Sequence, residues 1–425
     1  MSAINITKTK NNSILDMIAN NIEDIELVSF LLEKEDINQI DENSNNLLIL
    51  SIKKSYIKLS TFLLENGIDI NHQNKDKNNA LMIALQEGDV ESINLLVKYN
   101  INLNHQDSKG KNALMLAIEL GFLNISEQLI ESGVNLNSKD NNGRTALMWA
   151  FENGYKTLAQ LLIDNGANID ARNHTGWTAL IWASVNGHKD IVELLIQNGA
   201  NLNVKNIDGW NALIGAVFKN HYDIAQTLIE NGIVVNSEDK YLISALIFSY
   251  EKSYGNSFKL LFNSGINSEN IRDKNGNTLL IMATKLGLES VVKKLLENGA
   301  DVNSRNKDNN TALIWATIKN EQEIVKLLLK YKPYLDTIND DEWSALMYAS
   351  NQHQMKNIVE CLVNAGANIN QTFLRKEKVY YGRGTYDYDN QNLNRTSLTL
   401  AKENKYKSIN GIEEFLISKG AIVTE

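Results

Sequence analysis

Residues Asn173 to Asn206 read NHTGWTALIWASVNGHKDIVELLIQNGANLNVKN, and this stretch decides the fold. Asn173 to Gly176 carries the Asx-x-x-Gly pattern of a tight turn, in which the asparagine side chain folds back on the backbone and glycine takes a positive φ. Thr178 can then cap a helix that places Leu180, Ala183 and Ser184 on one side. Gly187 is positioned to end that helix in a left-handed conformation. Asp190 opens a second helix, whose apolar residues Ile191, Val192, Leu194 and Leu195 recur at helical spacing. Gly199 stops it, and Asn201 to Asn206 lead into the next turn.

Leu180 belongs to a series: Leu15, Leu48, Leu81, Leu114, Leu147, Leu180, Leu213, Leu246, Leu280, Leu313 and Leu346. Every step is 33 residues except the 34 between Leu246 and Leu280. Glycines recur seven residues after this leucine, as at Gly88, Gly121, Gly154, Gly187 and Gly287. Others recur nineteen residues after it, as at Gly67, Gly133, Gly166, Gly199 and Gly299. A small residue three positions on (Ala84, Ala117, Ala150, Ala183) lets neighbouring first helices approach closely. One such turn–helix–helix–loop unit cannot bury its apolar faces alone, but a stack of them can. The chain is therefore expected to be an all-α repeat stack that grows along one axis, despite a length that would ordinarily suggest two or three domains.

In combination these motifs resemble the ankyrin repeat family from roughly Ser13 to the C-terminus. Thr145-Ala146-Leu147, Thr178-Ala179-Leu180 and Thr311-Ala312-Leu313 match the family's helix start, while Asn165 to Asn168, Asn198 to Asn201 and Asn298 to Asp301 match its loop. The resemblance implies an all-α ankyrin solenoid with short hairpin-like fingers. It would comprise an N-terminal segment and cap (1–40), ten stacked repeats (41–370), an insertion (371–394) and a C-terminal cap (395–425). It also implies a scaffold that binds a protein partner; together with the bulk properties below, the chain is expected to be non-enzymatic and cofactor-free, with no nucleic-acid or membrane partner, and a cytoplasmic monomer. An effector acting inside a host cell is the alternative. Two departures are consistent: the family's proline before the leucine is mostly alanine here, and the histidine after it is Met82, Met115, Met148, Ile181 or Ile314. The family's histidine-to-backbone ties between neighbouring turns are accordingly expected to be missing, with apolar contact in their place.

Three irregularities interrupt the period. Tyr241-Leu242-Ile243 replaces the turn of the unit around Leu246, and Ser253 replaces its glycine, making this the expected kink or soft point. Lys332 stands where a loop glycine is usual and precedes Pro333, the sole proline. The segment Gln371 to Asn394 lengthens the spacing from Leu346 to Leu398 to 52 residues. It reads either as a β-hairpin turning at Gly382 to Gly384, bearing Tyr380, Tyr381, Tyr386 and Tyr388, or as a loop without regular structure.

The bulk properties exclude several function classes. A net charge of −9 disfavours a general nucleic-acid binder. No uncharged apolar run is long enough for a membrane span, and Met1 to Ser13 lacks a signal-peptide core. Cys361, the single cysteine, permits no internal disulfide and reads as a core thiol. Phosphate-binding, nucleophile-elbow and His-Glu-x-x-His signatures are all missing from the sequence, and Gly382-Arg383-Gly384 is too short for a phosphate cradle. His72 and His105, one repeat apart, read as surface loop histidines. His188 and His221 match a position where the family often has structural histidine.

The six tryptophans carry the functional signal. Trp149, Trp182 and Trp315, with Tyr348 at the same phase, lie two residues after the leucine; Trp177, Trp210 and Trp343 lie three before it. At ~100° per residue the first set points about 200° away from the core leucine, into the groove expected between helices and fingers. Packing beneath the next finger competes evenly with partner binding there, as Leu50, Ile83 and Leu116 occupy the same phase. The second set is expected on the fingers as a partner surface, because Asn45, Asn78, Lys111 and Arg144 show that polar residues are tolerated there. Candidate partner-binding residues are thus Trp149, Trp177, Trp182, Trp210, Trp315, Trp343 and Tyr348, with Tyr380 and Tyr381, beside Arg375 and Arg383, on the insertion.

Overall fold

The asparagines of this chain do much of its folding, and they act at fixed phases. In the computed structural model, which describes residues 13–21, 23–266, 270–352, 354–374, 377–380, 386–389, 394–403 and 411–422, each finger opens on an Asp or Asn seven residues before the repeat leucine. Its Oδ1 accepts the amides two and four residues on: Asp140 takes Asn142 and Arg144, and Asn173 takes Thr175 and Trp177. The turn closes when glycine, or a strained substitute such as Lys77 (φ 60°), takes a left-handed conformation.

The residue before the leucine-bearing segment then caps the first helix. Asn79 accepts from the Met82 amide at 3.0 Å, and Thr178 from Ile181 at 3.3 Å. First helices are short, as in Ala146–Glu152 and Ala179–Asn186, and second helices follow after a tight turn, as in Lys156–Asp164 and Lys189–Gln197. Gly187 ends its helix at φ 81°, as expected, and at the same phase Asn220 and Ser253 hold φ 59° without glycine's freedom. Leu180, Ala183 and Ser184 are buried on the first helix and Ile191, Val192 and Leu195 on the second. Within each unit, regular first helices pack on first helices and second on second.

Polar wiring joins successive repeats. Finger backbones link directly: the Asn141 amide donates to Lys109 O at 2.9 Å, and His174 to Asn142 O at 3.1 Å. Loop asparagines repeat the device: the amides of Asn102, Asn135 and Asn168 donate to Asn71, Asn104 and Asn137 Oδ1 at 2.7–2.9 Å. A third series runs from side chain to backbone, Gln106 to Lys139 O, Lys139 to Arg172 O and Arg172 to Lys205 O, each at 2.8 Å.

The chain divides into two compact units, Met1–Ile233 and Val234–Glu425. Unit 1 contains the regular stack just described, beginning with Ile14–Ala19 capped by Ser13. Unit 2 begins differently. Tyr241, Leu242 and Ile243 make no finger but extend a twelve-residue helix, Lys240–Glu251, capped by Asp239. Regular fingers resume at Asp273, with Lys307 N donating to Asn275 O at 2.9 Å and Asp340 N to Asp308 O at 3.1 Å. Lys332 takes φ 51° in glycine's place before Pro333. Beyond the last regular pair, Glu377–Tyr380 runs antiparallel to Tyr386–Asp389, and Phe373–Leu374 to Asn394–Arg395. Ser397–Glu403 and Ile412–Ser418 follow.

Candidate partner-binding surface

The residue three before the leucine closes the finger turn, its amide donating to the Asp or Asn that opens it, as Arg144 and Trp177 do, so its character sets the local surface. Where it is asparagine it is buried, and Asn45, Asn277 and Asn310 accept from the next finger. Asn45 is 1% exposed, and its Oδ1 accepts Asn74 Nδ2 from the next finger at 3.1 Å; Asn310 does the same for Asn339 at 3.0 Å. Lys111 is 6% exposed and reaches Glu119 at 2.6 Å. Polar residues are tolerated at this phase because they find partners inside the stack, not because the position is open. Polarity at this phase is therefore no measure of exposure, and each tryptophan here has its own setting.

In unit 1, Trp149 is 7% exposed. Its Nε1 donates to Asp140 Oδ2 at 3.2 Å, and its ring lies under two cations, Lys111 Nζ at 4.3 Å and the Arg144 guanidinium at 3.8 Å. Arg144 also donates to Asp140 Oδ2 at 3.0 Å and to Glu152 at 3.1 Å. Although Trp149 points away from its core leucine, the side chains of two fingers cover it. Trp177 and Trp182 are half-buried. Together with Arg144, Met148, Phe151 and Glu152 they line a cleft of about 100 Å³. Its walls are indole, thioether and phenyl, and the Arg144–Glu152 ion pair stands among its lining groups. Trp182 stacks on His188, with ring centroids 5.0 Å apart, and Trp210, also half-buried, stacks on Phe218 at 4.7 Å.

In unit 2, Trp315 is half-buried under Lys285 Nζ at 3.9 Å, and its Nε1 is buried with no hydrogen-bond partner. Trp343 is tilted against Tyr348 at 5.0 Å and packs on Met347 and Leu400. Tyr348 accepts from Asn339 Nδ2 at 2.9 Å, and burial raises its phenol pKa above the usual value.

Comparison with known proteins now fixes the family. A family model described as Ankyrin repeats (3 copies) matches residues 15–107, 100–173, 165–239, 243–306 and 290–373, which is most of the sequence. The chain belongs to the ankyrin repeat family. A crystal structure of an ankyrin repeat domain from Acinetobacter baumannii AYE is similar at 28% identity, over 44% of this chain and 98% of that one, with a TM-score of 0.42. No curated protein matches.

As an ankyrin stack this chain departs from one expectation. Histidine ties between turns are present, but at another phase. His72 Nε2 lies 2.8 Å from Ser44 O and His105 Nε2 2.6 Å from Lys77 O. A carbonyl only accepts, so both rings must carry the proton on Nε2. These are inter-repeat struts rather than free surface histidines, and His221 adds a third, at 3.1 Å from Val185 O. Met82, Met115 and Ile181 meanwhile fill the usual histidine position as buried apolar groups. Cys361 is half-buried, and no cluster that could hold a metal occurs among the described residues. Nor is any helix among them long and apolar enough to cross a membrane. Tyr380 ends the strand Glu377–Tyr380, while Tyr381, Arg375 and Arg383 lie outside the described residues. Sequence reading passed over the Lys111–Glu119 and Arg144–Glu152 pairs, although both repeat the same eight-residue spacing one period apart.

Proposed function

We propose that this ankyrin stack is a protein-interaction scaffold whose primary contact is the cleft between Trp177 and Trp182, which seats one apolar or aromatic side chain of a partner. The observation that carries the reading is the cleft itself. It is open, walled by aromatic and apolar groups, and about 100 Å³ in volume, within the range that takes a ring-sized guest (an engineered cavity of about 150 Å³ binds benzene). Arg144 and Glu152 flank it with both signs of charge, which suits orientation of a polypeptide backbone beside the anchor. Trp149 adds little, since its surface is already covered. Trp210 in unit 1, and Trp343, Tyr348 and Trp315 in unit 2, serve as further contacts, with Tyr380 and Tyr381 of the insertion as additional candidates. Family membership supports protein binding as the general role, and repeat proteins of this kind act without a catalytic step.

Anchors of this type contribute about 2 kcal/mol or more each, so removing both should reduce affinity by at least a hundredfold. The test is affinity purification of the full chain and of a W177A/W182A variant from the native cell, with circular dichroism to confirm unchanged helicity. A partner held by the wild type and lost by the folded variant is the expected result. Equal recovery by both would overturn the assignment.

A further inference from the structure

Unit 2 holds a second recess, of about 480 Å³, whose lining charges have the sign opposite to the chain's. Lys252, Lys274, Lys285 and Lys319 face it against Glu251 and Asp273 alone, a local excess of two positive charges in a protein of net charge −9. Lysines at helix ends are commonly there to complement the helix dipole, and Lys252, Lys285 and Lys319 do end their helices. That explanation leaves the burial of the central one, Lys285, unaccounted for. Lys285 is half-buried, and the contacts of its ammonium are the faces of Trp315 at 3.9 Å and Tyr250 at 5.5 Å. Lys274 is spent on Glu251 at 2.8 Å, whereas Lys285 has no carboxylate within ion-pair distance among the described residues. Burial is the largest influence on Lys285 and lowers its pKa; Asp273 opposes the shift and Lys319 adds to it. A half-buried ammonium on aromatic faces, beside a second lysine and an open recess, has no carboxylate paired with it.

We propose that this recess binds the phosphate-monoester dianion of a phosphorylated side chain on a protein partner, with Lys285 and Lys319 as its principal ligands. The charge balance selects a dianion over a carboxylate. The lining contains no arginine fork to grip a planar carboxylate in two-point fashion, and ammonium groups serve a tetrahedral oxyanion as point charges. Ser253 and Asn275 bring neutral donors to the same recess. A peptide source follows from position: Lys285 lies directly on Trp315, one of the aromatic residues assigned above to partner contact, so an anion there adjoins that surface. The source, though not the anion site, thus rests on the protein-binding reading.

The experiment is titration of the full chain, at low ionic strength and neutral pH, with three probes. These are inorganic phosphate, a glycine–alanine heptapeptide bearing one central phosphoserine, and the same peptide with serine. The K285M variant keeps an apolar stem on the two rings. K319M alters an exposed side chain, so it tests the site even if K285M unfolds. The phosphopeptide should bind at least tenfold more tightly than its serine form, and each variant should lose at least tenfold. Phosphopeptide binding that both variants retain, or that equal ionic strength of chloride abolishes, would overturn the site. Equal affinity for phosphate and phosphopeptide would overturn the peptide source. Because the Trp177–Trp182 cleft lies in unit 1, a chain that keeps its partner yet fails every titration sinks this proposal alone.

Discussion

Trp149 in unit 1 and Trp315 in unit 2 stand at the same phase of the same repeat, each beneath a lysine, yet their indole N–H groups meet opposite fates. Trp149 donates to the carboxylate of Asp140, while the Trp315 donor is buried without a partner. The residue opening the finger decides this. Its Oδ1 is always spent on the turn, so its second terminal atom is what remains. In Asp140 that atom is an acceptor. In Asn306 it is a donor, Nδ2, already given to Asn277 Oδ1 at 3.0 Å, with Oδ1 on the amides of Asp308 and Asn310. Asn339 shows the matched amide case, its Nδ2 donating to the hydroxyl of Tyr348. Turn chemistry treats Asp and Asn as equivalent; the aromatic beside the turn does not.

The largest test of this contrast is D140N. The turn survives, since asparagine supplies the same Oδ1, but Nδ2 would then face two donors, Trp149 Nε1 and Arg144 Nε. Stranding a buried indole donor and weakening a quarter-exposed arginine contact should cost about 2–3 kcal/mol. Urea unfolding of the full chain, with hydrogen exchange followed on Ala146–Glu152, measures it. A loss under about 0.5 kcal/mol would mean that the Asp140 carboxylate is not what holds Trp149.

A smaller effect comes from trimming the donor itself. W149F removes a satisfied N–H and strips Asp140 of one bond, for an expected cost of about 2 kcal/mol. W315F removes an orphaned N–H, which offsets the smaller ring's lost burial and cation contact, so its stability should stay within about 1 kcal/mol of wild type. Equal costs in the same melts would show that the two indoles are not in different settings.

This contrast also explains what the sequence could and could not tell. The 33-residue period, the helix caps and the left-handed stops follow from local chemistry: Thr178, Gly187 and Asn173 need only their neighbours to act. Helical periodicity also placed Trp149 and Trp182 opposite the core leucine. It could not say that Lys111 and Arg144, from two fingers, would close over Trp149 while Trp182 stayed half-open, because that depends on side chains 33 residues apart. Asparagine carries several jobs at fixed phases: Asn173 accepts within a turn, Asn79 caps a helix and Asn71 accepts from the next repeat. The recess around Lys285 escaped notice because its lysines lie on three different repeats, and a lysine ending one helix carries no signal alone.

The last test turns on Asp273, the finger-opening aspartate in unit 2. It neighbours Tyr250, whose hydroxyl accepts from Asn277 Nδ2 at 3.3 Å. Burial first, then the negative charges of Asp273 and Glu251, push the Tyr250 phenol from its ordinary 10 to about 12. The sign follows by linkage. Below pH 10 the phenol is protonated in both folded and unfolded chains and contributes no pH dependence. Between pH 10 and 12 the unfolded chain releases its proton first, the native state binds more protons, and stability falls as pH rises. Tyr348 shifts in the same sense, and lysine titration adds a background, so the informative quantity is the difference between wild type and Y250F. That difference should be flat up to pH 10 and then narrow as the wild type alone loses the stabilisation of its neutral phenol. D273N should weaken the narrowing, because removing the stronger of the two neighbouring negative charges lets the folded phenol ionise earlier. Parallel profiles for wild type and Y250F would mean that Asp273, unlike Asp140, exerts no hold on the aromatic beside it.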